Sequence, residues 1–200
     1  MLGWHHCLGS QEGQFHDNRF LNDLLKALAM AQAFIERGRI ITEASDETRA
    51  LDALQYGSAL ADGRLHLSMF EAAYLIETGK LEVVNARGKG YTIERLARSQ
   101  RSGKSFWTHY AVFKDLRSRG YVVKTALKFG AAFRVYDRGK KPGQAHAKWV
   151  VFPVQEHDKL TWHDWAAKNR VAHSTKKKLL IGVVDDELDV CYWEARWLKP

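Results

Sequence analysis

The stretch FRVYDRGKKPGQAHAKWVVF, residues 133–152, sets two apolar runs on either side of a basic loop. The first run, β-branched and aromatic, ends at Tyr136, and the second opens at His146. Between them Gly139, Pro142 and Gly143 supply residues suited to turns. The pattern predicts two strands that pair antiparallel, so that Tyr136 and His146 approach one another at the mouth of the hairpin. Arg138, Lys140 and Lys141 place cations in the same loop.

Outward from this hairpin, YVVKTAL precedes it as a further strand, and TWHDWAAKNRVAHS follows it as a helix with Thr161 and Asp164 in a T-x-x-D capping box. KKLLIGVVDDELDVCYWEARWL reads as two strands around an acidic turn. Upstream, TIERLARSQ is helix-like. SGKSFWTHYAVFKDLRSRG carries Phe106, Tyr110, Phe113 and Leu116 on one helical face, with Gly120 as its stop.

In the first half, Leu21, Leu24, Leu25, Leu28 and Ala31 recur at helical spacing, which predicts a helix capped by Asp17 or Asn18 and ended by Gly38. RIITE, RLHLS and KLEVVN read as strands. DETRALDALQYG reads as a helix, and so does MFEAAYLIETG behind the capping box of Ser68 and Glu71. The outline is an α/β chain, α+β overall. It has an extension over 1–17, a small α+β domain over 18–88 and a larger domain over 89–200 built on a mixed sheet flanked by helices. The boundary falls at ARGKG, residues 86–90, where the charge balance changes sign.

That change is marked. Residues 1–90 hold 9 Lys+Arg against 12 Asp+Glu, and residues 91–200 hold 22 against 11. The basic half therefore points to a polyanion, with nucleic acid first. No stretch approaches the roughly 20 apolar residues of a membrane helix, and the start lacks the pattern of a signal peptide. Two cysteines, Cys7 and Cys191, make no disulfide framework, which fits a reducing cytoplasm. His5, His6, Cys7 and His16 lack a recognised metal-ligand spacing, so no metal or cofactor is expected.

A phenol, an imidazole and an ammonium beside a basic surface suit one chemistry. RNA carries its own nucleophile in the ribose 2′-hydroxyl. Cleavage by it needs a base for the 2′ proton, an acid for the departing 5′-oxygen and a cation at phosphorus. Imidazole, with an ordinary pKa near 6.5, suits the acid, and a lysine from STKKKLL suits the charge. Tyrosine is an awkward base. With an ordinary pKa of about 10, about one part in a thousand is phenolate at pH 7, a handicap of roughly 4 kcal/mol that a nearby ammonium reduces.

LKFGAAFRVYDRG, HAKWVVF and RVAHSTKKKLLIGVVDDELDVCYWE together resemble the catalytic domain of archaeal tRNA-splicing endonucleases. The resemblance covers residues 90–200 and extends more weakly to GRLHLSMFEAAYLIETGKLEVV. It implies a nuclease-like C-terminal domain whose catalytic Tyr, His and Lys are Tyr136, His146 and Lys177. Lys177 takes the third position of a V-R-K-K-L-L motif written here T-K-K-K-L-L, with Lys176 and Lys178 as competitors. The resemblance further implies cleavage of precursor tRNA at both ends of an intron, within a bulge-helix-bulge fold. That cleavage is metal-independent and leaves 2′,3′-cyclic phosphate and 5′-hydroxyl ends.

By the same resemblance Arg170 clamps a flipped bulge base through cation–π stacking, with Arg196 as the candidate second clamp beside Trp193 and Trp197. Asp185, Asp186, Glu187 and Asp189 supply an acidic loop that docks on a neighbouring subunit. One catalytic domain per chain then implies a homotetramer, or a heterotetramer with a non-catalytic subunit. Two other readings fit the same residues less well. A non-catalytic structural or tRNA-binding subunit would have no need of all three triad positions. A metal-dependent nuclease would want clustered carboxylates facing a lysine, and the acidic turn is poorly placed for that.

Overall fold

The computed structural model describes residues 30–85, 87–98 and 103–196. The expected extension over 1–17, the leucine-spaced segment before residue 30, and Trp197 lie outside these residues.

The first sheet has five strands in the order β3-β4-β2-β1-β5: β1 (Ala31–Glu36), β2 (Arg39–Thr42), β3 (Ser58–Ala59), β4 (Leu65–Leu67) and β5 (Leu81–Val84). Two helices are threaded between them, α1 (Asp46–Ala53) and α2 (Met69–Glu77). The sheet is mixed, because β1 pairs antiparallel with β2 and parallel with β5. The α2 helix starts on the expected box: Ser68 Oγ accepts from Glu71 N at 3.3 Å, and Glu71 Oε2 accepts from Ser68 N at 2.9 Å.

One expectation fails here. Residues 31–36 form a strand, not the end of a helix. Arg37 (φ 50°) and Gly38 (φ 77°) are both left-handed, and they link Glu36 to its partner Arg39 as a two-residue hairpin turn. Alanine favours helices, but pairing on both edges of β1 and burial of Ala31 and Ala33 decide the backbone.

The second half opens with α3 (Ile93–Arg98) and α4 (Gly103–Ser118). Its sheet runs β10-β9-β8-β7-β6: β6 (Val122–Thr125), β7 (Phe133–Tyr136), β8 (Trp149–Gln155), β9 (Lys178–Val184) and β10 (Val190–Ala195). A 3₁₀ turn (Leu127–Phe129) lies between β6 and β7, and α5 (Trp162–Ser174) carries the chain from β8 to its parallel partner β9. The expected capping box opens α5, with Asp164 N donating to Thr161 Oγ1 at 3.1 Å.

Helices cover both faces of this sheet, so β9 reads as a nearly unbroken apolar run. On one face, α4 sits so close that a Cβ at Gly182 would stand 2.9 Å from a Val112 methyl. On the other, Ala172 of α5 is buried with Val150, Leu179 and Ile181.

One continuous core joins the two sheets, running from Ala31 and Leu75 through Phe106 and Phe113 to Val135 and Leu180. Phe70 of α2, partly buried, packs against it, 5.5 Å from the Phe106 ring and 5.2 Å edge-on to Phe133. Polar ties reinforce it. Tyr110 donates to Glu77 Oε2 at 2.5 Å, and Lys124 pairs with Glu71 at 3.0 Å and also donates to the Gly57 carbonyl. This core holds β7 and β8, which carry the opening stretch, against the rest of the molecule. Among the described residues no helix is long and apolar enough to cross a membrane.

Candidate active site

β7 and β8 pair antiparallel as expected, with Phe133 opposite Val151 and Val135 opposite Trp149. The second strand starts at Trp149, not His146, so the histidine belongs to the loop. The regular ladder stops at the Val135–Trp149 pair, with Lys148 N still donating to Val135 O at 2.8 Å. Before that point the chain is turned by Gly143, at φ 88°, and by an isolated bridge between Pro142 and Ala145. Below the loop, Lys148 Nζ meets Asp137 Oδ2 at 2.8 Å and pins its neck. Burial works against the Asp137 charge. Hydrogen bonds from Lys148 and the Arg138 N–H outweigh it and hold the carboxyl below its usual range.

The third element arrives from the end of α5. Lys176 adopts φ 54°, a left-handed conformation uncommon outside glycine. Its N–H donates to His173 O at 3.0 Å, and Lys177 N donates to Ala172 O at 2.9 Å. These two bonds are the Schellman ending of a helix, with Lys176 where glycine is usual. The motif throws Lys177 off the helix axis and into the mouth of the hairpin.

Tyr136, His146 and Lys177 thus line one cleft of about 360 Å³, together with Arg134 and residues 143–145 and 147. Tyr136 is buried at 4% exposure, which fixes its ring, whereas His146 is exposed to anything entering. Lys177 Nζ donates to Thr175 O at 2.8 Å. Burial pushes its ammonium below the ordinary lysine value, and the charge of Arg134 adds to the effect. Arg138, Lys140 and Lys141, expected beside the pair, do not line this cleft; Arg138 lies over the Tyr121 ring at 5.0 Å. Arg134 stands there instead. Strand alternation could have found it, since positions 134 and 136 share a face of β7.

A second cleft of about 300 Å³ shares Lys177 and is lined by Asn169, His173, Lys176, Lys178, Ala195 and Arg196. Of the three lysines, Lys177 alone lines both clefts. Arg196 is exposed, and its Nε donates to Glu194 Oε1 at 2.6 Å. Arg170 is exposed on α5 and lines neither cleft.

The chain matches two family models in sequence order. Residues 31–97 match the tRNA intron endonuclease N-terminal domain, and residues 106–192 match the tRNA intron endonuclease catalytic C-terminal domain. It is 37% identical over 166 residues to a tRNA-splicing endonuclease of Thermococcus kodakarensis, covering 83% of this chain and 97% of that protein. A tRNA-splicing endonuclease of Methanothermobacter thermautotrophicus is 37% identical over 161 residues, 80% of this chain and 94% of its own. One from Nanoarchaeum equitans is 40% identical over 151 residues, 72% and 97% of the two chains. The chain belongs to the tRNA intron endonuclease family.

All three candidate triad residues lie within the part that matches the family's catalytic domain. So does the turn between β9 and β10. There the structure separates the four carboxylates. Asp185 turns inward, its Oδ1 accepting from Glu187 N at 3.0 Å and Asp189 N at 2.8 Å. Asp186, Glu187 and Asp189 are exposed, around a Leu188 that is itself 47% exposed at φ 68°. Among the described residues no group of three His, Cys, Asp or Glu side chains is placed to hold a metal ion.

Proposed function

We propose that this endonuclease removes introns from precursor tRNA by cutting at bulge-helix-bulge splice sites, with Tyr136, His146 and Lys177 as its catalytic residues. Membership of the family makes the chain an endonuclease of tRNA intron removal. The observation that carries the finer reading is the convergence of those three side chains, from β7, its loop and the end of α5, on one cleft.

In this reading Tyr136 takes the proton of the ribose 2′-hydroxyl. The 2′-oxygen attacks the adjacent phosphorus, and the bond from phosphorus to the 5′-oxygen breaks. His146 gives that oxygen a proton, and Lys177 stabilises the extra negative charge on the pentacoordinate phosphate. The products are a 2′,3′-cyclic phosphate and a 5′-hydroxyl. Residues 89–200 carry this chemistry, and the described part of the 18–88 domain, from Ala31 onward, buttresses it through the shared core. In this reading the exposed Arg170, one turn before the end of α5, stacks on a base lifted out of the bulge, and Arg196, which lines the second cleft shared with Lys177, is the second clamp. Two cuts per intron need two such sites, so the chain works in an assembly of at least two copies, and a homotetramer, or a heterotetramer with a non-catalytic subunit, fits that need.

A single 2′-deoxy substitution at the nucleotide 5′ to the cut tests the mechanism, because it deletes the nucleophile and leaves the phosphate. Cleavage of the all-ribose RNA is expected to persist in excess EDTA and leave a cyclic end. The deoxy RNA is expected to bind and stay whole. Its cleavage would rule the mechanism out.

A further inference from the structure

Two arginine Nε atoms are buried without a hydrogen-bond partner among the described residues, those of Arg117 and Arg134. Arg117 is explained by its remaining contacts. It lies 3.9 Å over the Tyr56 ring and donates to Leu54 O at 3.2 Å and to Tyr121 O at 3.3 Å, joining the two halves of the chain. Arg134 has no such account. It makes no side-chain hydrogen bond and no ion pair among the described residues, and its one aromatic neighbour is Tyr136, with Cζ 5.9 Å from the ring centroid. Arg134 as a whole is half-buried, but its Nε is shut off from solvent, and leaving such a donor unpaired is costly where a protein normally satisfies it.

The surroundings say what the donors are for. Arg134 lines the cleft with Tyr136, His146 and Lys177, and none of the residues lining that cleft is acidic. Arg134 and Lys177 come from different elements, β7 and the segment after α5, so two cations of separate origin line one cleft with the phenol. A planar guanidinium with several donors fits the oxygens of a phosphate better than a point charge does. A phosphodiester has two non-bridging oxygens, and both gain charge when the 2′-oxygen adds to phosphorus.

We propose that Arg134 is a further catalytic residue, which binds a non-bridging oxygen of the scissile phosphate while Lys177 takes the other. The assignment rests on reading this cleft as the place of RNA cleavage. The attacking 2′-oxygen then approaches Tyr136 from a phosphate held on two sides, and the unused donors of Arg134 find their partner only when RNA is bound.

The test uses the full chain and a bulged precursor RNA, with Arg134→Gln, Arg134→Lys and His146→Ala measured side by side. Arg134→Gln is expected to lower kcat by about 10²–10³, the usual loss for one oxyanion donor, with KM changed less than about threefold and an unaltered melting temperature. Arg134→Lys is expected to recover at least about tenfold of that loss. Binding of the 2′-deoxy RNA by Arg134→Gln should also show a salt slope smaller by about 0.7–0.9, the signature of one lost phosphate contact.

Wild-type turnover by Arg134→Gln beside a dead His146→Ala would overturn the assignment and leave the cleft's chemistry standing. Full activity of His146→Ala would remove the chemistry and this assignment with it. A defect confined to KM would also overturn it, placing Arg134 on flanking RNA. Should Arg134→Gln fail to fold, Arg134→Lys decides: a kcat loss of about tenfold supports the phosphate contact, and an unchanged kcat refutes it.

Discussion

Lys176 and Lys177 are neighbours in a run of three lysines, and the backbone gives them different work. Lys176 occupies the left-handed position of the Schellman ending, where a side chain is a cost and glycine is the usual solution. Lys177 follows it into the cleft with Tyr136 and His146. Lys176→Gly is therefore expected to stabilise the fold by about 0.5–1 kcal/mol and to keep the single-turnover cleavage rate at saturating RNA. Lys177→Ala is expected to lose cleavage by a factor of about 10²–10³ while the melting temperature holds. Thermal melts and single-turnover kinetics on the two variants read both effects, and reversed rates would move the catalytic ammonium to Lys176. At this scale, positions 136 and 146 were legible because β-branched runs and turn residues mark a hairpin from local sequence alone. Arg134 does not stand out in the sequence beside the cluster of loop cations, and its lack of a partner is a property of the folded neighbourhood.

Among the elements, β10 is an edge strand whose ladder with β9 is reinforced by one carboxylate. Glu194 accepts from Trp149 Nε1 at 2.7 Å, Arg196 Nε at 2.6 Å and Lys178 Nζ at 3.2 Å, linking β10 to β9 and β8. Burial works against its charge, but the three donors outweigh it and hold the carboxyl down to about 2, against an ordinary value of 4.5. A folded-state value below the unfolded one means that this stabilisation is complete above pH 4.5 and is lost as pH falls toward 2. Glu77, which joins α2 to Tyr110 and Lys114 of α4, is shifted in the same direction and works in the same window. Melting temperatures taken from pH 5.5 down to 3 are expected to fall less steeply in Glu194→Gln than in the wild type. The residual slope belongs in part to Glu77, and an unchanged slope would show that the tie contributes nothing. Most elements could be read from period and caps, both capping boxes included. β1 could not: its alternation is written in alanine and glutamine, and its strand character comes from partners at residues 39–42 and 81–84.

For the whole molecule, charge and core tell different stories. The net balance of −3 in residues 1–90 and +11 in residues 91–200 was open to counting. The continuous core that welds those halves was not, because Glu71 meets Lys124 and Glu77 meets Tyr110 across long separations in sequence. Two copies of the basic half should repel unless something on the surface reverses the sign locally, and the turn between β9 and β10 has the construction for it. Asp185 spends its carboxylate on the turn's own N–H groups and fixes its shape, which leaves Asp186, Glu187 and Asp189 outward around an exposed Leu188. Docked on a basic surface of a neighbouring subunit, such a rigid acidic knob would turn repulsion into attraction and set the geometry of the assembly. Asp186→Lys combined with Glu187→Lys reverses that charge without touching the bonds made by Asp185 or any residue of the cleft. The double variant is expected to run as a smaller species in light scattering, and to lose cleavage in step with the loss of mass. Asp185→Ala should give a milder version of the same result, by loosening the turn while keeping its outward charges. A wild-type assembly held this way also weakens as salt rises, since exposed charges are screened beyond about 8 Å at physiological ionic strength. If the double variant keeps both its mass and its activity, the turn is a turn only, and the contact between subunits must be sought on another face.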